Sequence, residues 1–144
     1  MIDGVVVTPL SIIDTDGGDV LHAMKSTDIG YSGYGEAYFS TVESGAVKGW
    51  KRHNEMVSNL VVPVGMIRFV LYDDRTNSKT NGEFSEITLS LLNYKRLTIP
   101  PKLWLGFQGV DNQTSLLLNI ANISHQVNEV DRLDLNGLKY DWSI

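Results

Sequence analysis

The apolar residues of this chain come in short runs, and few windows keep the 3.6-residue spacing that a long amphipathic helix needs. Turn-forming residues separate the runs: Pro9, "DTDGGD" at 14–19, "ESG" at 43–45, "PVG" at 63–65, "TNG" at 80–82 and the pair Pro100-Pro101. Punctuation of this kind, around segments rich in Val, Ile, Tyr and Phe, predicts many short strands and an all-β sandwich or barrel.

Residues 4–13 read as one or two strands broken by Pro9, and a strand is expected around 36–42. "AVKGWKRH" (46–53) is extended again. Residues 59–74 predict a hairpin: Val61 and Val62, a turn at 63–65, then the β-rich "MIRFVLY". A polar loop (74–83) precedes the alternating "FSEITLSLL". Residues 95–110 give a strand, a double-proline turn and a second strand. "SLLLNIANI" (115–123) is read as a strand, and 128–144 as a polar tail with a small apolar component.

A chain of 144 residues, 42% of them hydrophobic, can bury a core as one domain over 1–144. It has no cysteine, which excludes a disulfide framework, Cys-ligated zinc and a thiol nucleophile. The net charge of −5 argues against nucleic acid as the main partner. The N-terminus lacks a basic segment followed by a long apolar run, and no apolar stretch approaches the ~20 residues of a membrane span. A cytoplasmic protein without a membrane partner is therefore expected.

The chemistry concentrates in "KGWKRHNEM" (48–56). In an extended strand, Lys51, His53 and Glu55 share one face and Trp50 and Arg52 the other. A solvated rim strand could carry these residues; so could the wall of a site.

The order of four segments bears on that choice. "GAVKGWK" (45–51) is followed by residues 61–75, then by "SLLNYKRLTIPPKLWLGF" (90–107), then by "NGLKYDW" (136–142). This series resembles the dTDP-4-dehydrorhamnose 3,5-epimerase family, the RmlC-like cupins, and most closely a shorter subgroup from surface-polysaccharide gene clusters. The resemblance implies a jelly-roll β-barrel, a homodimer, and a nucleotide-diphosphate sugar as partner. It implies epimerisation beside the ketone of a 4-keto-6-deoxyhexose, C3 foremost, in surface-polysaccharide or O-antigen biosynthesis. A related 3,4-ketoisomerase and a non-catalytic sugar-nucleotide-binding protein are the alternatives.

Four departures accompany it. Counted without gaps, Lys51 stands at the family's catalytic histidine, with His53 two residues on and on the same face. Leu105 replaces a second histidine. "SLLLN" has no tyrosine where the family has its catalytic one, and the aspartate that pairs with the histidine lies in a C-terminal extension not found here. The resemblance then makes His53 the base, a role imidazole suits near neutral pH. Lys51 or Lys48 would hold the enolate oxygen. Neighbouring cations disfavour the imidazolium, so His53 is expected to be neutral at pH 7. Trp104 is a candidate to stack on the ligand, Trp50 is a further ligand-binding candidate, and Arg75 and Lys102 are candidates to hold its pyrophosphate. From the preceding segment, Tyr38 is a candidate to return a proton on the opposite sugar face and Glu43 a further ligand-binding candidate; His125 is a candidate at the barrel mouth. Metal-binding cupins need histidines where Lys51 and Leu105 stand, so neither a metal nor another cofactor is expected.

Overall fold

The computed structural model describes residues 1–143. Its strands are β1 Val6–Pro9, β2 Ile12–Ile13, β3 Val20–Leu21, β4 Glu36–Val42, β5 Val47–His53, β6 Ser58–Val64, β7 Met66–Tyr72, β8 Phe84–Ser90, β9 Lys95–Ile99, β10 Trp104–Gly109, β11 Ser115–Ala121 and β12 Val130–Arg132. Among the described residues helix is confined to two 3-10 turns, Val127–Glu129 and Leu135–Gly137. The chain is nearly all β, as its punctuation predicts. No described helix is long and apolar enough to cross a membrane.

Two five-stranded antiparallel sheets face each other. The first runs β1-β9-β6-β11-β4 and the second β12-β5-β10-β7-β8, with β2 and β3 paired separately. Val42, Leu60, Val62, Leu97 and Leu117 of the first sheet pack against Ile67, Phe69, Leu71 and Leu89 of the second. Period-two alternation sets this up: β11 buries Ser115, Leu117, Asn119 and Ala121 and leaves Leu116, Leu118 and Ile120 half-buried outside.

Residues 59–74 are not a hairpin. β6 pairs with β9 and β11, whereas β7 pairs with β8 and β10. The turn at Gly65 therefore carries the chain from one sheet to the other. Gly65 has φ +81°, and a Cβ there would lie 2.2 Å from Ser115 Oγ. β9 and β10, on either side of the double proline, also belong to different sheets.

Both sheets are covered in part on the outside. Arg96 of β9, with no exposed surface, donates to the carbonyls of Ala23 and Ile29 at 2.8 Å and pairs with Asp28 at 3.2 Å. These bonds hold the segment before β4 against the first sheet. The stretch read as a polar tail covers the second sheet. There β12 extends the sheet beside β5, and Leu138, Tyr140 and Trp142 pack with Trp50, Val70 and Trp104. Gly106 makes room for these rings: a Cβ on it would lie 2.8 Å from Trp142 and 3.1 Å from Trp50.

Candidate functional site

Alternation along β5 sorts the stretch as expected from Trp50 to His53. Trp50 is fully buried in the outer aromatic cluster, and Lys51 and His53 line a cavity between the sheets. Arg52 points outward to Asp74 at 2.9 Å and Asp131 at 2.8 Å. Lys48 has the wrong parity for the inner face, yet it lines the same cavity. The strand register explains this. Leu105 opposes Lys51 and Phe107 opposes Lys48, so Gly49 and Trp50 together face Gly106. This β-bulge inserts one residue and turns Lys48 onto the face of Lys51 and His53.

The cavity has a volume of about 240 Å³. Pockets that enclose whole drug-sized ligands hold roughly 300–1,000 Å³, so this one suits a single ring of a larger ligand. The second sheet contributes Lys48, Lys51, His53, Leu105, Phe107 and Arg132. The first contributes Tyr38, Ser40, Ser58, Leu60, Leu117 and Asn119.

His53 is held by a residue the sequence did not single out. Its Nδ1 hydrogen-bonds Glu129 Oε1, with the two side chains only 15% and 4% exposed. Glu129 Oε2 accepts from the backbone N–H groups of Glu55 at 3.1 Å and Met56 at 3.2 Å. Burial pushes the Glu129 carboxyl up. The bond from His53, the backbone donors and the attraction to His53 outweigh it and hold the group below the ordinary glutamate value of 4.5. Glu129 is thus a carboxylate at neutral pH. It fixes the tautomer with hydrogen on Nδ1 and leaves Nε2 as the free basic nitrogen.

Two expectations change as a result. The acidic partner of the histidine is not missing, because Glu129 in the supposed polar tail takes that place. Nor does His53 face cations alone, since the Glu129 carboxylate lies against its Nδ1. The one available signal was a lone acid between Val127 and Val130 in "VNEV", and nothing in the sequence shows that β12 folds back beside β5.

Arg132 is a second cavity residue with no marker in the sequence. It lies directly across the β12–β5 ladder from Lys51. Burial, then repulsion from Arg132 and Lys48, pulls the Lys51 ammonium below its ordinary 10.5, against the attraction of Glu129. Like charges set opposite each other destabilise a sheet. Three cations on one cavity wall suit an anionic ligand or a negative charge that develops during reaction. Across the cavity, Asn119 Nδ2 donates to Tyr38 Oη at 2.9 Å.

The remaining sequence candidates lie elsewhere. Trp104, 5% exposed, sits outside β10 with Arg52 stacked 4.5 Å from its ring centroid, and its Nε1 donates to Asp74. Arg75 clamps the fully buried Asp73 through Nε at 2.8 Å, which holds that carboxyl far below the ordinary range. Lys102 Nζ donates to Asn54 at 3.0 Å. Arg75 and Lys102 line an open cleft of about 570 Å³ on the outer side of β5, with Arg52 and Asp74. The stacking role expected of Trp104, the ligand contact expected of Trp50, and the pyrophosphate role expected of Arg75 and Lys102 are therefore not available at the His53 cavity. The cause is period-two geometry, which turns Trp50 and Trp104 outward. Glu43 is exposed in the β4–β5 turn and His125 in the loop after β11, and neither lines the cavity. No three His, Asp or Glu side chains among the described residues cluster to hold a metal ion.

The chain matches no protein-family model. The probable low-salt glycan biosynthesis epimerase Agl13 of Haloferax volcanii is 31% identical over 112 residues, 74% of this chain and 72% of the relative. The crystal structure of a dTDP sugar isomerase from Desulfovibrio desulfuricans G20 is 37% identical, with a TM-score of 0.95 over 98% of this chain and 92% of that one. A dTDP-4-dehydrorhamnose 3,5-epimerase from Sulfolobus tokodaii, 24% identical, has the same fold, with a TM-score of 0.83 over 99% of this chain and 82% of the other.

Proposed function

The chain belongs to the dTDP-4-dehydrorhamnose 3,5-epimerase family of RmlC-like cupins, and from that premise we propose that it epimerises a nucleotide-diphosphate 4-keto-6-deoxyhexose at the carbon beside the ketone, C3 foremost. The observation that carries the reading is the His53–Glu129 pair beside Lys51 in a cavity of one-ring size. A ketone acidifies the neighbouring C–H bond by letting the electron pair move onto oxygen. His53 Nε2 takes the proton, Glu129 stabilises the imidazolium that forms, and Lys51 meets the charge growing on the oxygen. Lys48 and Arg132 extend the positive wall toward the diphosphate. A protein that only bound the nucleotide would have no need of a buried carboxylate to orient a histidine.

The finer parts of the reading rest on the family. The two sheets are the walls of a jelly-roll barrel. The protein acts in the cytoplasm, in surface-polysaccharide or O-antigen assembly, as a homodimer. Phe39, 63% exposed, and Val64, 44% exposed, flank the half-buried Leu116 and Leu118 on the outside of the first sheet, and this apolar face supports the pairing of two copies.

A second outcome for the same base is migration of the ketone between C4 and C3; the likeness to a dTDP sugar isomerase fits either isomerisation. Incubation with CDP-, dTDP- and GDP-linked 4-keto-6-deoxyhexoses, followed by NMR of the products, separates the two. Inversion at the carbon beside an unmoved ketone supports the epimerase. A 3-keto product supports the isomerase, and no turnover of any member of the panel contradicts both.

A further inference from the structure

Inversion needs two groups, because the proton that leaves one face of the sugar must be replaced on the other. Among the described residues lining the cavity, the titratable ones are Tyr38, Lys48, Lys51, His53 and Arg132. Four of these stand on β5 and β12 of the second sheet. Tyr38, on β4, is the one titratable group on the wall formed by the first sheet. It lies directly across the ladder from Asn119 of β11, and Asn119 is 5% exposed. Asn119 Nδ2 donates to Tyr38 Oη at 2.9 Å, while its buried Oδ1 has no partner. An oxygen that accepts this bond keeps its own hydrogen free to point into the cavity. The same N–H stabilises the phenolate left once that hydrogen has gone. A hydroxyl of a bound sugar would satisfy this unpaired buried carbonyl.

We infer that Tyr38, positioned by Asn119, is the acid that completes the epimerisation. His53 Nε2 removes the proton from the face turned to the second sheet, the C–H electron pair passes to the ketone oxygen, and an enolate forms. The enolate carbon then takes the hydroxyl proton of Tyr38 on the face turned to the first sheet, and the electron pair returns from oxygen to restore the ketone. The tyrosinate regains a proton from solvent and the imidazolium releases one, so the cycle is redox-neutral and needs no co-reactant. This assignment rests on the epimerase reading above. It also accounts for the absence of a tyrosine from "SLLLN": the acid stands on the neighbouring strand.

The test separates exchange from inversion, using a dTDP-linked 4-keto-6-deoxyhexose in deuterium oxide. Wild-type protein should both incorporate deuterium and invert the centre. Tyr38→Phe should still incorporate deuterium with retention, because His53 can return a deuteron to its own face, while inverted product falls at least about 100-fold. Asn119→Ser, which retracts the donor, should lower the ratio of inversion to exchange by a smaller factor. A merely structural defect would slow both reactions together and leave that ratio unmoved. Inversion by Tyr38→Phe at the wild-type rate, or loss of exchange along with inversion in a folded variant, overturns the assignment to Tyr38 but not the epimerase reading. Absence of exchange and inversion in wild-type protein, on this sugar and the CDP- and GDP-linked ones, overturns both.

Discussion

At the scale of residues, the site depends on one carboxylate. Glu129 spends one oxygen on His53 and the other on two backbone N–H groups, so it cannot turn away. Glu129→Gln keeps the shape and loses the charge, and it can present an N–H where His53 needs an acceptor. With tautomer and imidazolium both disfavoured, kcat should fall about 10²–10⁴-fold by analogy with other orienting carboxylates, while the melting temperature shows the variant folded. An unchanged kcat would remove Glu129 from the account. The carboxyl also ties stability to pH. Its value in the fold is lowered from 4.5, so its contribution is fully present above that value and is lost as pH falls through the lowered one. Urea unfolding from pH 7 to pH 3 should show the gap between wild-type and Glu129→Gln narrowing below about pH 4.5. A gap that widens there would contradict the assignment. Lys51 belongs to the same logic: Arg132 directly opposite costs stability that a ligand-free protein does not recover.

At the scale of elements, two local irregularities place the chemistry. One is the bulge at Gly49-Trp50, which turns Lys48 inward. The other is Gly65, whose turn moves the chain between sheets in a single residue. Gly65→Ala would combine an unfavourable φ, costing about 1–2 kcal/mol, with a clash at Ser115 costing a further ~1–3 kcal/mol. Chemical denaturation should show a loss of roughly 2–5 kcal/mol, and a loss under about 1 kcal/mol would mean the turn relaxes. These same elements show how far the sequence could be read. Period two in "WKRH" was sufficient to put Lys51 and His53 on one face, and turn residues marked the strand ends. Partners were hidden, because a glycine turn looks alike whether it closes a hairpin or crosses between sheets. The run Ser58–Val62, buried at every position, fits an interior strand covered on both faces better than a hairpin arm at the rim. Pairing of β12 with β5 joins residues some 80 apart and left no local trace, so Glu129 and Arg132 stayed invisible while their neighbour His53 did not.

At the scale of the whole molecule, two sheets hold His53 and its neighbouring cations on one wall and Tyr38 on the other. Outer coverings at residues 22–31 and in the C-terminal stretch stiffen both walls, but the outside of β4 and β11 stays apolar and open. Light scattering should accordingly report a particle of twice the chain mass. Phe39→Asp, which sets a charge beside Leu118, should shift that mass toward one copy. A wild-type monomer at micromolar concentration would contradict the pairing. The claim on which the rest depends is that His53 takes a proton from the carbon beside a sugar ketone. Deuterium incorporation into a 4-keto-6-deoxyhexose nucleotide, followed by NMR for wild-type and His53→Gln side by side, tests it most directly. Wild-type protein should label the carbon beside the ketone, and a folded His53→Gln variant that still binds the nucleotide should leave it unlabelled. Labelling by His53→Gln at the wild-type rate would show that the base is some other group.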